Sequence, residues 1–190
     1  MDAFKEYLQQ YPNYKPSDFD AVLPYLSIKE VDAGEYLLRQ GKICKHIAFI
    51  ESGLFRLYYL NDGKEVTNCF CKENTLTTSY SSLILQKPSD IAIQAIEPSR
   101  LIILSNDSLQ KLYKTHSFWQ QLGRIAAENE FITTEEHNRF LKDVSATNRY
   151  QLLLEKDKQL LQRVPLNYLA TYLQITPETL SRIRNKLART

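Results

Sequence analysis

The spacing of apolar residues changes twice along the chain. Residues 2–26 carry apolar side chains at near-helical spacing, interrupted by three prolines. Residues 28–104 contain short apolar or alternating runs separated by turn residues, and residues 106–142 return to helical spacing. Because alternation with a period of two indicates strands and a period near 3.6 indicates helices, this order predicts a helical lead-in, a β-rich domain and a helical second half.

Glycines divide the β-rich region into short segments. Four of the five glycines of the chain lie there, at positions 34, 41, 53 and 63. The pair Asp62-Gly63 stands between two apolar runs, which is a strong signal for a tight β-hairpin. Short strands joined by such turns predict an antiparallel β-roll or jelly roll, so we expect an α+β fold with flanking helices.

The helical stretch that follows contains a heptad-like seam. Five residues spaced alternately by four and three form it: Phe118, Leu122, Ile125, Asn129 and Ile132. The seam covers only about two heptads, so it fits the helix of a dimeric coiled coil and equally well a helix packed on its own β-roll. If a coiled coil forms, Asn129 would set its register. If it does not, Asn129 is simply an exposed residue.

The chain from Val144 onward predicts a small all-helical domain. The helical pattern breaks near Val144, and Ser145 is suited to cap the next helix. Two further helices are predicted at about 165–173 and about 177–188, with "QIT" between them. The short connection and the small Ala170 favour a helix-turn-helix, because they allow the two helices to approach closely.

The last of these helices separates its side chains into two faces. Thr176 is suited to its N-cap, Pro177 to its first position and Glu178 to its first turn. At about 100° per residue, Leu180 and Ile183 lie on one face and Arg184 lies nearer to that buried side. The candidate DNA contacts are Thr176, Pro177, Glu178, Ser181, Arg182, Asn185, Lys186 and Arg189. Such side chains can bind base edges and phosphates, whereas the alternative is an amphipathic helix with a solvated charged face.

Charge is distributed unevenly over the sequence. The net charge is +2, but residues 163–190 contain five basic residues and one acid, a local charge of +4. The preceding 162 residues therefore carry −2. Segregated positive charge favours a polyanionic partner, and together with the predicted helix-turn-helix it indicates double-stranded DNA.

Composition excludes several other classes of protein. Hydrophobic residues make up 43% and charged residues 24%, no apolar run approaches the about 18 residues of a membrane span, and no secretory signal is evident. We therefore expect a cytoplasmic protein without a membrane partner. Three cysteines without a CxxC pair and three scattered histidines predict neither a metal site nor an iron–sulfur cluster. Cys44 and His46 are weak candidates for a haem ligand, and no enzyme constellation is recognisable.

The two halves of the sequence together resemble the Crp/Fnr family of bacterial transcription regulators. The β-roll resemblance rests on "AGEYLLRQG" followed by "HIAFIESGLFRLYYLNDGKE", and the DNA-binding resemblance on "LATYLQITPETLSRIRNKL". The resemblance implies a homodimer in which Pro177, Glu178 and Arg182 face the major groove. This sequence departs from the family pattern at two points. Gln174 stands where many relatives have a turn glycine, and the few residues after Leu187 are too short for the wing strands that often follow the last helix.

The sensor half departs further from the pattern of the family. Cyclic-nucleotide binders carry a Gly-Glu pair for the ribose and an arginine after a proline for the phosphate. Here Thr77-Thr78 replaces the pair and Ser89 follows Pro88, so cyclic AMP is not expected to bind in the usual manner and the cofactor is unknown. The candidate effector residues are Thr77, Thr78, Ser79, Ser82 and Ser89. In one interpretation their hydroxyls bind a polar or anionic small molecule. In the other, the segment is a solvated loop without a ligand.

These observations predict a transcription regulator with three parts. Residues 1–115 form a cyclic-nucleotide-binding-like sensor domain, residues 116–143 a connecting and dimerisation helix, and residues 144–190 a helix-turn-helix DNA-binding domain. The alternative is a small-molecule binding or interaction module without specific DNA binding, which would need no exposed basic helix face.

Overall fold

The computed structural model describes residues 1–187, apart from the side chain of Asp143. The helices are α1 (Asp2–Gln9), α2 (Pro16–Val22), α3 (Tyr80–Leu85), α4 (Asn106–Thr115), α5 (Ser117–Asp143), α6 (Ala146–Lys156), α7 (Lys158–Arg163), α8 (Leu166–Tyr172) and α9 (Pro177–Leu187). The strands are β1 (Leu26–Val31), β2 (Tyr36–Leu38), β3 (His46–Ser52), β4 (Leu54–Asn61), β5 (Lys64–Lys72), β6 (Leu76–Thr77), β7 (Ala92–Ala95) and β8 (Ser99–Ser105).

The chain divides into two compact units. The first contains residues 1–59 and 69–128, and the second contains residues 60–68 and those from 129 onward. Helix α5 begins in the first unit and ends in the second, and the tip of the β4–β5 hairpin belongs to the second. The expected α+β class is confirmed.

Eight strands of the described chain form two four-stranded sheets. The first sheet has the order β1-β8-β3-β6 and the second the order β2-β7-β4-β5. The strand pairs β1–β8, β3–β8 and β4–β7 are antiparallel, in agreement with the expected β-roll. Asp62 and Gly63 have φ of 49° and 75°, the left-handed values that a tight hairpin turn requires, so the hairpin prediction is confirmed.

Side chains from both sheets fill the interior of the β-roll. The core contains Val31, Leu37, Leu38, Cys44, Ala48, Ile50, Phe55, Leu57, Leu83, Ile93, Ala95 and Leu101. Because successive side chains of a strand point to opposite faces, Phe49 and Ile102 point away from this interior. They join a second core with residues of α1, α2, α4 and α5. The first sheet is therefore covered by apolar side chains on both faces.

The start of α5 packs against its own β-roll, which corrects part of the predicted dimer seam. Phe118 and Leu122 are only 4% and 6% exposed and lie in the core shared with α1 and α4. Ile125 is half-buried, whereas Asn129 and Ile132 are exposed. Periodicity placed Phe118 and Leu122 on an apolar face of this helix but could not say which surface covers that face. A dimer seam on α5 is thus limited to the residues from Ile125 onward.

In the second unit, capped helices pack around a small apolar core. Ser145 accepts a hydrogen bond from the Asn148 N–H at 3.3 Å and begins α6, as the sequence predicted. Asp157 caps α7 in the same way through the Leu160 N–H at 2.9 Å. The ring of His137, near the end of α5, stacks on Tyr172 of α8 with 5.2 Å between centroids.

The hairpin tip also contributes to the second unit. Thr67 is 2% exposed, and its hydroxyl lies 3.0 Å from the Thr171 hydroxyl of α8. The Thr67 N–H donates to the same Thr171 oxygen at 3.3 Å. Among residues 1–187, no helix has the length and apolar character needed to cross a membrane.

Candidate nucleic-acid interface and effector site

The turn between α8 and α9 is closed by backbone hydrogen bonds. The Ile175 N–H donates to the Ala170 carbonyl at 3.0 Å, and the Gln174 N–H donates to the Thr171 carbonyl at 3.1 Å. This pair of bonds is the Schellman pattern that ends many helices. Gln174 adopts the left-handed conformation, with φ of 53°. The turn therefore keeps the geometry that a glycine would favour, although the sequence supplies glutamine.

The beginning of α9 is fixed by the cap that the sequence predicted. The Thr176 hydroxyl accepts a hydrogen bond from the Thr179 N–H at 3.2 Å, and Pro177 occupies the first helical position. Hydrogen bonds from the Thr176 side chain and from its own backbone N–H lower the pKa of Glu178. Glu178 is consequently ionised at neutral pH, at the helix end where negative charge is favoured.

Helix α9 buries its apolar face and exposes its polar face. Leu180 is 0% and Ile183 is 8% exposed, and both pack in the second unit. Most of the predicted DNA-contacting residues are exposed: Thr176, Pro177, Glu178, Arg182, Asn185 and Lys186. Ser181 is half-buried at the margin, and Arg189 lies outside the described residues. The structure therefore brings these polar side chains together on one accessible surface.

Two details of this surface did not emerge from the sequence. The Arg182 guanidinium donates from Nη2 to the Thr179 hydroxyl at 3.2 Å, one helical turn back, so Thr179 helps to orient it. Arg184, predicted nearer to the buried side, is exposed and adds a further positive charge to α9. The helical wheel placed Arg184 only about 40° from Leu180, but a long side chain can extend from such a position into solvent.

The five candidate effector residues lie in the first unit, where all but the half-buried Thr78 are buried, and most of their hydroxyls bond within the chain. The Ser89 hydroxyl lies 2.8 Å from both the Ser79 hydroxyl and the Ile91 carbonyl. The Ser82 hydroxyl donates to the Lys87 carbonyl at 2.5 Å and accepts from the Cys44 N–H at 2.9 Å. Thr78 donates to the His46 carbonyl at 3.0 Å. These four hydroxyls anchor α3 and its flanking loops.

Thr77 differs from the other four candidates. It is 2% exposed, yet its Oγ1 has no hydrogen-bond partner in the described part of the chain. Thr77 is paired with Ala48 of β3, and its strand neighbour Leu76 packs on the outer core, so Thr77 faces the interior of the roll. A buried hydroxyl without a partner is costly, which singles out this position.

A buried arginine in the second sheet was not anticipated from the sequence. Arg56 of β4 is 2% exposed, and its Nε and Nη2 donate to Gln94 Oε1 of β7 at 3.0 and 2.6 Å. Its guanidinium also lies 4.2 Å from the centroid of the Tyr58 ring. The only sequence signal was its position in the otherwise apolar run "LFRLYYL".

The structure does not assemble a metal-ligand cluster from the residues it describes. Cys44 is 1% exposed, and its Sγ lies 3.3 Å from both the His46 carbonyl and the Thr78 hydroxyl. Burial and the neighbouring Lys29 lower the pKa of His46.

Comparison with known proteins identifies the domain in the first half of the chain. Residues 28–116 match the family model of the cyclic nucleotide-binding domain. No curated protein sequence matches the chain significantly.

Solved structures match much more of the chain. FixK2 from Bradyrhizobium japonicum is 20% identical, with a TM-score of 0.76 over 86% of this chain and 85% of that chain. A Crp/Fnr-family regulator from Eubacterium rectale is 15% identical, with a TM-score of 0.74 over 96% of this chain and 88% of that chain. The c-di-GMP responsive regulator CLP of Xanthomonas campestris is 16% identical, with a TM-score of 0.72 over 92% of both chains.

The family model and the structural matches confirm the resemblance inferred from the sequence. Residues 28–116 match the model of the cyclic nucleotide-binding domain, and the chain as a whole has the fold of solved structures that include a Crp/Fnr-family regulator.

Proposed function

We propose that this protein is a homodimeric transcription regulator that binds double-stranded DNA through α9. Its parts are a sensor domain (residues 1–115), a connecting helix (116–143) and a DNA-binding domain (144–190). The observation that carries the proposal is the division of α9, with Leu180 and Ile183 buried while Glu178, Arg182 and Asn185 are exposed. Because a transcription regulator must be in the compartment that contains the DNA, we also propose that this protein is cytoplasmic.

Each polar group of α9 has a chemical role in this proposal. The Arg182 guanidinium is suited to the two acceptors of guanine, the Asn185 amide to adenine, and the Glu178 carboxylate to the amino group of cytosine. Lys186 and Arg184 supply positive charge for phosphates, and Arg189 would add to it. Thr176, Pro177 and Ser181 lie at the start or the margin of this face, where they would contact the backbone or neighbouring bases.

Substitutions on α9 test the proposal directly. Operator sequences are first selected from random duplex DNA with the full-length protein, and affinity is then measured by fluorescence anisotropy at several salt concentrations. Arg182→Ala should weaken binding to the selected site by about 1–3 kcal/mol and relax its preference at one position. Lys186→Ala should weaken binding to all sequences similarly and reduce the slope of log K against log salt by about 1.

A matched control and a contradicting outcome complete this test. Lys111→Ala removes an exposed lysine from α4 of the first unit and should leave DNA affinity unchanged. The DNA-binding role is wrong if no sequence is enriched, or if Arg182→Ala and Lys111→Ala bind the selected site as tightly as the unmodified protein does. That outcome would favour the alternative, a small-molecule binding module.

The structure reduces the number of residues that we propose for effector binding in the sensor domain. Four of the five candidate hydroxyls already bond within the chain, so Thr77 is the one of the five whose hydroxyl has no partner among the described residues. An effector in the interior of the roll would approach this hydroxyl. Ser89 stands after Pro88 where cyclic-nucleotide binders have an arginine, so titration with cyclic AMP should give no binding heat in calorimetry.

A further inference from the structure

A groove opens on the first unit beside β1 and β2, which are the edge strands of the two sheets. It has a volume of about 540 Å³ and lies between these strands and the loop of residues 39–45 that leads to β3. Buried side chains of the roll core line it at Val31, Leu37 and Leu38. None of the five candidate effector residues lines the groove, so it is distinct from the site around Thr77.

The lining of this groove is strongly basic. Its single acid is Glu35, whose carboxylate accepts a hydrogen bond from the Asp32 N–H at 3.0 Å. Four exposed basic residues line the groove: Lys29, Arg39, Lys42 and Lys45. None of these four forms an ion pair with another residue of the described chain. The lining therefore carries a charge of +3, and a cleft lined by charges of one sign concentrates ions of the opposite sign.

Part of this positive charge is held on a fixed framework. The Arg39 guanidinium lies 3.9 Å from the centroid of the Tyr36 ring, which also lines the groove. The backbone of the loop is tied down on either side of Lys42. The Gly41 N–H donates to the Ser89 carbonyl at 2.7 Å, and the Ser89 N–H donates to the Lys42 carbonyl at 2.9 Å. Because these contacts exist before a ligand arrives, less conformational freedom is lost on binding.

The size and chemistry of the groove indicate the kind of molecule that fits it. Small-molecule sites are usually clefts of about 300–1,000 Å³ with an apolar lining and a few polar groups that fix orientation. The planar guanidinium of Arg39 suits a phosphate or carboxylate group, and the lysines supply further positive charge. We propose that this groove binds a small polyanion, with at least two phosphate or carboxylate groups on a body that covers the apolar lining. The inference concerns the first unit alone and does not require that the chain bind DNA.

ATP without Mg²⁺ is a suitable probe for the full-length protein, because it joins a triphosphate to a flat aromatic body. At a salt concentration of about 0.15 M, which screens attraction beyond about 8 Å, ATP should bind one site saturably in calorimetry. Amide resonances of residues 36–46 should shift in NMR, and adenosine, which lacks the phosphates, should cause no such shift. Burial and Lys29 lower the pKa of His46, which lines the groove. This pKa should rise when ATP is bound, because the phosphates offset the charge of Lys29.

A pair of double variants separates this groove from general attraction to positive charge. Arg39→Ala with Lys42→Ala removes two charges from the groove and should weaken ATP binding about tenfold or more. Lys111→Ala with Lys114→Ala removes two charges from α4, which does not line the groove, and should leave the affinity unchanged. All four side chains are exposed, so both double variants should fold as the unmodified protein does. Lys186→Ala on α9 should likewise leave ATP binding unchanged.

Each contrary result overturns the proposal in a different way. If ATP does not bind saturably, or if both double variants lose affinity equally, the basic residues of the groove are only solvated surface charges. If Lys186→Ala weakens ATP binding and the groove variant does not, the anion binds at α9. If adenosine binds as ATP does, the charges play no part. If ATP fails but a short peptide of aspartate and glutamate shifts residues 36–46, the groove is a docking surface for an acidic protein.

Discussion

Two threonines of the β-rich region occupy similar environments but differ in their hydrogen bonds. Thr67 and Thr77 are each 2% exposed and lie on β5 and β6. The Thr67 hydroxyl lies 3.0 Å from that of Thr171, whereas the Thr77 Oγ1 has no partner in the described residues. A buried polar atom contributes to stability when it is bonded and lowers stability when it is not.

This contrast predicts opposite effects of the same substitution. Thr77→Val removes an unpaired hydroxyl and should raise the free energy of unfolding by about 1 kcal/mol, whereas Thr67→Val should lower it by about 1 kcal/mol. Urea denaturation of the two variants measures both values, and Thr67→Val is the matched control. A loss of stability in Thr77→Val would mean that its hydroxyl is bonded in solution, and the candidate effector contact would then lose its basis.

At the scale of single elements, sequence patterns worked best where the signal was local. The Asp62-Gly63 hairpin and the Thr176 cap each depend on residues within a few positions of one another, and both are present. The helix α3 at Tyr80–Leu85 was not predicted, because its hydroxyl-rich sequence has weak helix propensity and is held by bonds to distant loops. The hydrogen-bond partners of Arg56 and Ser82 could not be predicted either, because they lie 38 positions away in the sequence.

The α8–α9 turn gives the clearest element-scale prediction. Gln174 is held at φ of 53°, where a residue with a Cβ loses about 1–2 kcal/mol relative to its preferred conformation. Gln174→Gly should therefore raise the free energy of unfolding by about 1 kcal/mol, after allowance for the greater flexibility of glycine in the unfolded chain. Thermal or urea unfolding of the full-length protein measures this change.

A control in a regular helix makes this prediction specific to the turn. Gln151 lies within α6, where glycine is less favourable than most residues, so Gln151→Gly should lower stability by about 1 kcal/mol. If both substitutions lowered stability to the same degree, position 174 would not be left-handed in solution. The helix-turn-helix geometry derived from the Schellman bonds would then be wrong.

At the scale of the whole molecule, the long helix α5 shows why a sequence pattern cannot assign partners. One continuous apolar stripe was predicted, but its first residues, Phe118 and Leu122, pack in the core of the same chain. Further along, the helix exposes Phe131 by 68% and Ile132 by 53%. Large apolar side chains exposed together on one helix are typical of surfaces that pack against a partner.

We expect the stretch of α5 from the half-buried Ile125 to the exposed Ile132 to form the interface of the proposed dimer. Two helices related by a two-fold axis would bury Ile132 of both copies, and each buried side chain of this size contributes about 1.5–3 kcal/mol. Ile132→Asp should therefore weaken dimerisation about a hundredfold or more. Sedimentation velocity over a range of protein concentrations measures the change in the dimer dissociation constant.

The same variant should also affect DNA binding, because a two-fold dimer places its α9 helices in successive major grooves about 34 Å apart. Ile132→Asp should therefore reduce affinity for a palindromic operator far more than for a single half-site. Thr134→Asp introduces the same charge at an exposed position about 200° around the helix and should leave the dimer intact. If Thr134→Asp were as disruptive as Ile132→Asp, or if the unmodified protein were monomeric at all concentrations, the exposed apolar residues of α5 would have another role.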